Sequence, residues 1–239
     1  MRNGSFLSNT KQHSIEWLRR LRFQRQAKSK NIVEIRNDEY TNNFLFLPTI
    51  NEKSVVFDIG CAEDADLSQY FITHFQARCF GIDPTRKHFT ALSEMEKKYQ
   101  GKFTHLPYAV SHENSKLFFF ESVSNRSGSL KEDHSNVIAD TVNKYEVESI
   151  TIPGLLAKYK IAEVDYLKLD IEGAEYELIE RLDSDDLMFV KQLFIEFHHH
   201  AIGSVTKNDT EDAVKKIKDL GFECFTYDHS NFLLFKAKT

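Results

Sequence analysis

The sequence lacks any continuous run of about 18 apolar residues, and its first residues do not form the apolar segment of a secretory signal. We therefore expect no transmembrane segment and a cytoplasmic location. Cysteine is also scarce: Cys61, Cys79 and Cys224 are odd in number, widely spaced and in no CxxC pair. This pattern argues against a disulfide framework or a zinc site and favours reduced, structural thiols.

Two kinds of motif are missing as well. The segment "DIGCAEDADLS" has only one of the glycines of the G-x-G-x-x-G fingerprint, which argues strongly against an NAD-dependent oxidoreductase. Neither HExxH nor CxxC supports a metal centre. Asp170, Glu196 and His198 could converge on a divalent ion, but such groups are common in metal-free crevices, so we expect no bound metal.

The chain has 239 residues, 41% of them hydrophobic, which is enough to bury the core of one α/β domain. Its charge is uneven. Residues 1–50 contain nine Lys or Arg and four acids, a balance of +5, and the net charge of −5 for the whole chain leaves −10 for residues 51–239. We predict a basic helical arm over residues 1–50 and a main domain over residues 51–239, whose acidity argues against a nucleic-acid partner.

The arm contains the segment "SIEWLRRLRFQRQAKSK", which is typical of a short helix with Ile15, Leu18 and Leu21 or Phe23 near one face. Residues 11–30 could contact an anionic membrane or substrate. Alternatively, the helix packs its apolar face on the main domain and leaves its basic face in solvent. We favour the second interpretation, because basic helix faces are usually only solvated.

Beyond residue 53 the sequence alternates between strand and helix. Strands are predicted at "SVVFDIG", "ARCFGID", "FTHLPYAVS", "KLFFFES", "VDYLKLD" and "QLFIEFH". Helices are predicted at "LSQYFITHF", "HFTALSEMEKKY", "GLLAKY", "AEYELIERL" and "DAVKKIKDLGF", the last ended by Gly221. The segment "ECFTYDHSNFLLFKAK" predicts an antiparallel hairpin. This alternation indicates a parallel sheet covered by helices on both faces.

Polar residues follow most of the predicted strands, at tips such as "DIGCAED", "GIDPT", "KLDIEG" and "IEFHHH". Ligands of an open parallel sheet bind outside the carboxyl ends of its strands. We therefore predict a crevice at these tips, with Asp170 in one wall. Gly60 permits a tight turn close to a ligand, and Asp83 could accept hydrogen bonds from two ribose hydroxyls.

Several segments, in order along the chain, resemble the successive motifs of the FkbM-type methyltransferase family: "VVFDIGCAED", "FGIDPTRKHFTAL", "YAVSHENSKLFFF", "VDYLKLDIEGAEYELIERL" and "FIEFHH". The resemblance covers about residues 54–235, and "LKLDIEGAE" is its most specific block. It implies an S-adenosylmethionine-dependent O-methyltransferase. The implied fold is Rossmann-like and doubly wound, with seven strands of which the last is antiparallel, and residues 51–239 would form this class I methyltransferase domain.

The resemblance also implies a role for each strand tip. By this resemblance, the methionine part of the cofactor would contact Asp58, Gly60, Cys61 and Ala62. The ribose would contact Asp83 and Pro84, and the adenine would contact Tyr108 and Ala109. Asp170 would lie at the end where the methyl group is transferred.

The chain departs from the family pattern in two places. Ala62 and Asp64 stand where Asn and a second glycine are usual, and Ile152-Pro153-Gly154 stands where a Leu-Asp pair is usual. The first departure keeps one alternative function open, a non-catalytic binding protein on a methyltransferase fold.

A base must remove the proton of the acceptor hydroxyl. His198, Asp170 and Glu172 are the candidates, because their strands should be neighbours and imidazole titrates near neutral pH. Alternatively, His198 is a solvent-facing loop residue and Glu172 a substrate-side or structural one. Glu175 is better explained by the following helix, whose first turn has unpaired N–H groups that an acid offsets.

The resemblance implies that the acceptor is a hydroxyl on a small molecule or glycan. The segment "SVSNRSGSLKEDHSN" is rich in turn-forming and hydrogen-bonding side chains. It is therefore predicted to be either a polar lid over a sugar or an ordinary solvated loop.

Overall fold

The computed structural model describes residues 20–35, 44–226 and 228–236. Ile15, Leu18 and the first part of the predicted basic helix lie outside the described residues. Within these ranges no helix is long and apolar enough to span a membrane.

Thirteen strands and eight helices form within the described residues. The strands are β1 (Val33–Ile35), β2 (Phe44–Phe46), β3 (Val55–Ile59), β4 (Arg78–Ile82), β5 (Phe103–Leu106), β6 (Ala109–Val110), β7 (Lys116–Ser122), β8 (Gly128–Ser129), β9 (Val142–Ile150), β10 (Tyr166–Leu169), β11 (Gln192–Glu196), β12 (Phe222–Thr226) and β13 (Asn231–Lys236). The helices are α1 (20–29), α2 (Asp66–Phe75), α3 (Phe89–Lys98), α4 (Ser135–Ile138), α5 (Ile152–Tyr159), α6 (Glu175–Arg181), α7 (Ser184–Leu187) and α8 (Lys207–Asp219), with a 3₁₀ turn at Arg86–His88.

A seven-stranded sheet forms the centre of the protein, in the order β12-β13-β11-β10-β3-β4-β5. Neighbouring strands from β11 to β5 run parallel, whereas β13 is antiparallel to both β11 and β12. The predicted doubly wound sheet with an antiparallel C-terminal strand is therefore confirmed. Because the chain order reverses between β10 and β3, their carboxyl ends form the position where such sheets bind ligands.

Helices cover both faces of this sheet, as predicted. Phe71 of α2 and Leu92 of α3 belong to the core on one face. Leu155 of α5 and Ile217 of α8 belong to the core on the other face. The central strands are buried on both faces, which explains why their sequences are continuous apolar runs rather than alternating ones.

Ile152-Pro153-Gly154, which departs from the family pattern, forms the first turn of α5. The Thr151 hydroxyl caps this helix by accepting a hydrogen bond from the Gly154 N–H at 3.0 Å. Proline suits the first turn, where a backbone N–H has no partner within the helix. The departure therefore preserves the helix.

A second, four-stranded sheet in the order β6-β9-β7-β8 lies beyond the β5 edge of the first. The prediction of a single strand at "FTHLPYAVS" is wrong, because β5 and β6 are separate strands in different sheets. Pro107 and Tyr108 lie between them, and proline has no N–H to continue a ladder. The strand at "KLFFFES" is confirmed as β7, but it pairs with β9, which the sequence analysis did not predict.

The described part of the basic arm packs on the main domain. Phe23 and Ala27 of α1 are buried, and the Phe23 ring lies 5.2 Å from that of Phe225. Lys30 forms an ion pair with Glu223 at 2.6 Å. The interpretation of α1 as a helix with a solvated basic face and a docked apolar face is confirmed for these residues. The division of the chain at residue 50 and a contact of residues 11–30 with an anionic surface stay predictions.

Replacing Phe23 with Ala should lower the free energy of unfolding by about 3 kcal/mol, the low end of the range for a buried phenylalanine, since the ring lies at the edge of the core. Urea denaturation would measure the change. Arg25→Ala is the control: Arg25 is exposed on the same helix, so its loss should change stability by less than about 0.5 kcal/mol. Equal effects of the two substitutions would show that α1 is not part of the core.

Candidate active site

A cavity of about 300 Å³ opens at the carboxyl ends of β3, β4, β10 and β11, where the crevice was predicted. The second sheet and the loop between β7 and β8 supply its outer wall. Most of the predicted site residues line it: Gly60, Cys61, Ala62, Asp83, Pro84, Tyr108, Ala109, Asp170, Glu172 and His198. Asp58 does not.

The loop after β3 approaches β10 more closely than a side chain would permit. Gly60 has a φ of 75°, and a Cβ on it would lie 1.6 Å from the backbone oxygen of Asp170. Only glycine fits this contact. Two residues later, Ala62 also takes a left-handed conformation, and its N–H donates to Asp83 Oδ2 at 2.9 Å. The loop is therefore fixed to the tips of both neighbouring strands.

Asp83 is buried at the tip of β4. Its Oδ1 accepts a hydrogen bond from the Thr85 N–H at 2.8 Å, and its Oδ2 lies 3.3 Å from His88 Nδ1. Burial opposes ionisation of Asp83, but the bonds from His88 and Thr85 outweigh it and lower its pKa. Asp83 is thus a fixed carboxylate at the cavity wall. Its support by His88 was not foreseen from the sequence.

Asp58 lies behind the cavity rather than in its wall. It is fully buried, and the Ser68 hydroxyl donates to its Oδ2 at 2.7 Å. Its Oδ1 lies 3.8 Å from Lys168 Nζ and has no hydrogen-bond partner among the described residues. Asp58 lies on the side of β3 that faces α2. It therefore does not contact the cavity directly and acts on it through its interaction with Lys168.

Lys168 is a buried cation between two strand tips. Its Nζ lies 3.0 Å from Asp170 Oδ2 and donates to the Gly60 oxygen at 2.9 Å. Burial disfavours the ammonium, but Asp170 and Asp58 together raise the pKa of Lys168 well above its usual value. The side chain therefore remains charged and holds Asp170 in place.

Asp66, the first residue of α2, was missed by the sequence analysis. It lines the cavity, and its Oδ2 is buried without a hydrogen-bond partner among the described residues. Burial and the nearby Asp58 raise the pKa of Asp66 to about 6. The only signal in the sequence was its place in the acidic run after Gly60. A cationic ligand group would satisfy this carboxylate.

The opposite side of the cavity is apolar. It is formed by Val110, Phe119 and Leu130, which belong to the second sheet and its loops. Tyr108 lies beside them, and Lys158 donates to its hydroxyl at 2.6 Å. The cavity therefore has an apolar side suited to a flat ring and a polar side of carboxylates.

The loop between β7 and β8 lies at the cavity, where Arg126, Ser127 and Gly128 contribute to the wall. Its role as a lid over a sugar stays a prediction. Arg126 Nε lies 2.9 Å from Glu63 Oε2, and the same guanidinium binds Asp64. His88 Nε2 lies 3.2 Å from the Arg126 backbone oxygen, so the loop is also anchored beside Asp83. Asp64, which stands where a glycine is usual in the family, thus binds this loop.

His198 is buried among acids and is not a solvent-facing loop residue. Its Nδ1 lies 3.1 Å from Glu175 Oε1, and its Nε2 lies 3.6 Å from Asp170 Oδ1 and 3.5 Å from Glu172 Oε2. Burial opposes protonation, but Glu175, Asp170 and Glu172 raise the pKa of His198 to about 10. The imidazole is therefore charged at neutral pH in this arrangement.

Glu172 and Glu175 hold this histidine from two directions. Glu172 lies 2.9 Å from the buried His134, and although burial opposes ionisation, His134 and His198 lower the pKa of Glu172 to about 2. Glu175 is fully buried and accepts the N–H groups of Ile171 and Gly173, both at 2.9 Å. Glu175 thus serves the loop before α6 rather than the first turn of that helix.

Asp170, Glu175 and His198 have polar atoms within 4.8 Å of one another. The two oxygens of Glu175 already accept backbone N–H groups, and His198 is held as an ion-pair partner. Ion pairing therefore accounts for the cluster, and the absence of a metal stays a prediction.

The FkbM methyltransferase domain model matches residues 23–224. The chain belongs to the FkbM methyltransferase family. It is a methyltransferase that uses S-adenosylmethionine, so the NAD-dependent oxidoreductase is set aside. The match begins within α1 and ends in β12, and thus includes the central sheet up to that strand and the loop between β7 and β8, but not β13.

Three solved structures are among those similar to this chain. Fibrillarin of Aeropyrum pernix, with bound S-adenosyl-L-methionine, is 10% identical over 80% of this chain and 69% of its own, with a TM-score of 0.43. Precorrin-6y C5,15-methyltransferase of Geobacter metallireducens is 12% identical over 79% and 83%, with a TM-score of 0.42. An rRNA methylase of Streptococcus thermophilus is 12% identical over 79% and 90%, with a TM-score of 0.44. No curated protein matches the sequence.

The close approach at Gly60 yields a test of this FkbM-family site. Gly60→Ala should weaken S-adenosylhomocysteine binding at least about tenfold, because the new Cβ overlaps the Asp170 oxygen and must displace the loop. Calorimetric titration would measure the affinity.

Gly101→Ala is the matched control. Gly101 has a φ of 77°, but a Cβ on it would meet no atom within 4 Å. This substitution should lower stability by about 1 kcal/mol through backbone strain and leave affinity unchanged. Similar affinities for the two variants would show that the contact with Asp170 does not matter for the cofactor.

Proposed function

We propose that this FkbM-family enzyme transfers the methyl group of S-adenosylmethionine to a hydroxyl on a small molecule or glycan. The observation that carries this proposal is the gathering of Asp170, Glu172 and Glu196 at one end of the cavity. S-adenosylmethionine supplies an electrophilic methyl group on a sulfonium. The acids at this end suit a neutral acceptor that must lose a proton, and they disfavour a phosphate-bearing one.

The residues of the cavity fit the cofactor. Asp83, with His88 behind it, is proposed to accept the ribose hydroxyls, and Pro84 follows it in the wall. Asp66 Oδ2, which has no hydrogen-bond partner among the described residues, is proposed to bind the ammonium of the methionine part. The loop residues Gly60, Cys61 and Ala62 are proposed to contact the methionine part as well. The adenine is proposed to contact Tyr108, Ala109, Val110 and Phe119.

The remaining predicted residues are proposed to act at the acceptor end. Lys168 holds Asp170 beside the cavity through their ion pair, and Asp58 contributes by holding Lys168. His198 is proposed to donate a hydrogen bond or to orient the acceptor, since a group with a pKa of about 10 is a poor base at neutral pH. Glu172 is proposed to position His198.

Replacing Asp83 with Asn should weaken binding of S-adenosylmethionine and S-adenosylhomocysteine by an amount on the order of 2 kcal/mol, because charge-assisted hydrogen bonds are lost. Asp165→Asn is the control. Asp165 also accepts a backbone N–H, from Val55 at 2.9 Å, but at the amino end of β10, away from the cavity. Calorimetry on both variants separates ribose binding from a general loss of structure. Unchanged affinity in Asp83→Asn would refute the ribose assignment.

The acceptor class can be tested with methyl-labelled S-adenosylmethionine and separate pools of metabolites, glycans, RNA and protein. We expect label in the metabolite or glycan pool, on an oxygen that resists mild alkaline hydrolysis as an ether does. Label only in RNA or protein would overturn the proposed acceptor. Tight binding of S-adenosylhomocysteine without label in any pool would instead favour a non-catalytic binding protein.

A further inference from the structure

We propose that Glu196 is the general base that removes the proton of the acceptor hydroxyl, an inference that rests on the methyl transfer to a hydroxyl proposed above. Glu196 is the last residue of β11 and lines the cavity. Leu169 and Ile195 are register partners in the parallel pair of β10 and β11, so Asp170 and Glu196 follow them at adjacent strand ends. The carboxylate thus lies at the acidic end of the site.

The other acidic and basic groups of this end are already engaged. Asp170 is paired with Lys168 at 3.0 Å, Glu172 with His134 at 2.9 Å, and His198 with Glu175 at 3.1 Å. Glu196 is different, because its side chain forms no hydrogen bond or ion pair with any described residue. A carboxylate that has no internal partner and reaches the cavity is available to accept a proton from a ligand.

The surroundings of Glu196 also raise its pKa into the range that suits a general base. Burial and the charge of Asp170 raise the pKa of Glu196 to about 7, with Glu172 adding to the shift, while His198 and Lys168 oppose it. The register neighbour on β13 is Asn231, which carries no charge. Glu172, by contrast, has a pKa of about 2. Two carboxylates at one end of the site therefore have widely separated proton affinities, a pattern that assigns acid and base roles.

In the proposed step, Glu196 accepts the proton of the acceptor hydroxyl as the acceptor oxygen attacks the methyl group. The O–H bond of the acceptor breaks, and its proton passes to a Glu196 carboxylate oxygen. The acceptor oxygen uses the freed electron pair to bond the methyl carbon, and the electrons of the broken carbon–sulfur bond remain on sulfur. Protonated Glu196 then returns its proton to water. His198, charged throughout, keeps the acceptor oriented.

The ionisation can be measured without knowing the acceptor. In protein labelled with ¹³C at glutamate carboxyls and saturated with S-adenosylhomocysteine, we expect one glutamate resonance to titrate near pH 7, far above the usual value of about 4.3. That resonance should be absent from Glu196→Gln and present in Glu211→Gln, a control on the exposed face of α8. If every glutamate titrates below about pH 5.5, or the high one persists in Glu196→Gln, the proposal is overturned.

Thermal unfolding gives a second readout. A carboxyl whose pKa is higher in the folded than in the unfolded state contributes stability at low pH and loses it as pH rises through the folded value. Glu196→Gln should therefore melt at a higher temperature than the parent at about pH 8, with little difference near pH 4. A lower melting temperature at both pH values would indicate a merely structural residue.

Turnover on a labelled acceptor pool then tests the chemical role. The parent rate should rise with pH to a plateau above about pH 7, and Glu196→Gln should lower kcat at least about 100-fold with unchanged KM for S-adenosylmethionine. The acid limb of the pH profile should vanish. In Glu196→Ala, added formate should restore part of the rate, because it can occupy the vacated space and accept the proton.

The two proposals fail in different ways. If the parent enzyme labels no hydroxyl-bearing pool, the proposed function fails, and the carboxyl titration still decides the ionisation of Glu196. If the parent labels an acceptor and Glu196→Gln does so at the parent rate, methyl transfer to a hydroxyl stands and the assignment of Glu196 as the base is wrong.

Discussion

A single buried ammonium, that of Lys168, joins the parts of the molecule on which the active site depends. It binds the backbone oxygen of Gly60 and the carboxylate of Asp170, and it faces Asp58 behind the wall. Removing one partner of such a buried group leaves an uncompensated charge and typically costs roughly 3–5 kcal/mol. The carboxyl ends of β3 and β10 are therefore held together by charge as well as by the sheet, and the opening of the cavity has a fixed shape.

The same buried charges determine which acids remain ionised. Lys168 and His198 supply positive charge at the acidic end, and each is shared by several carboxylates. Burial opposes ionisation of Glu172, but the hydrogen bond with His134 and the charge of His198 lower its pKa to about 2. Burial and repulsion by Asp170 raise the pKa of Glu196 to about 7, against the opposing charges of His198 and Lys168. The two glutamates thus differ in pKa because the fold places them in different surroundings.

The second sheet converts an open crevice into a cavity. β6 diverges from the central sheet after Pro107, and the loop beyond β7 crosses the strand tips to reach Glu63 and Asp64 through Arg126. This ion pair is partly exposed, so its contribution to stability is small. Its geometric consequence is larger, because it brings Ser127, Gly128 and Leu130 into the wall of the site.

The amino-acid sequence was enough to predict the doubly wound sheet, its terminal hairpin and a crevice at the strand tips. These features follow from local patterns: apolar runs that end in polar tips, helical spacing and the turn chemistry around Asp228. It also located Gly60, Asp83 and Asp170. It did not separate β5 from β6, find β9, or recognise Asp66 and Arg126, because their roles arise from contacts between distant segments. The tertiary structure was needed to place Asp58 behind the cavity wall, His198 among three carboxylates, and Glu196 without a hydrogen-bond or ion-pair partner among the described residues. The reason is that proton affinity depends on burial and on charges that the fold brings together.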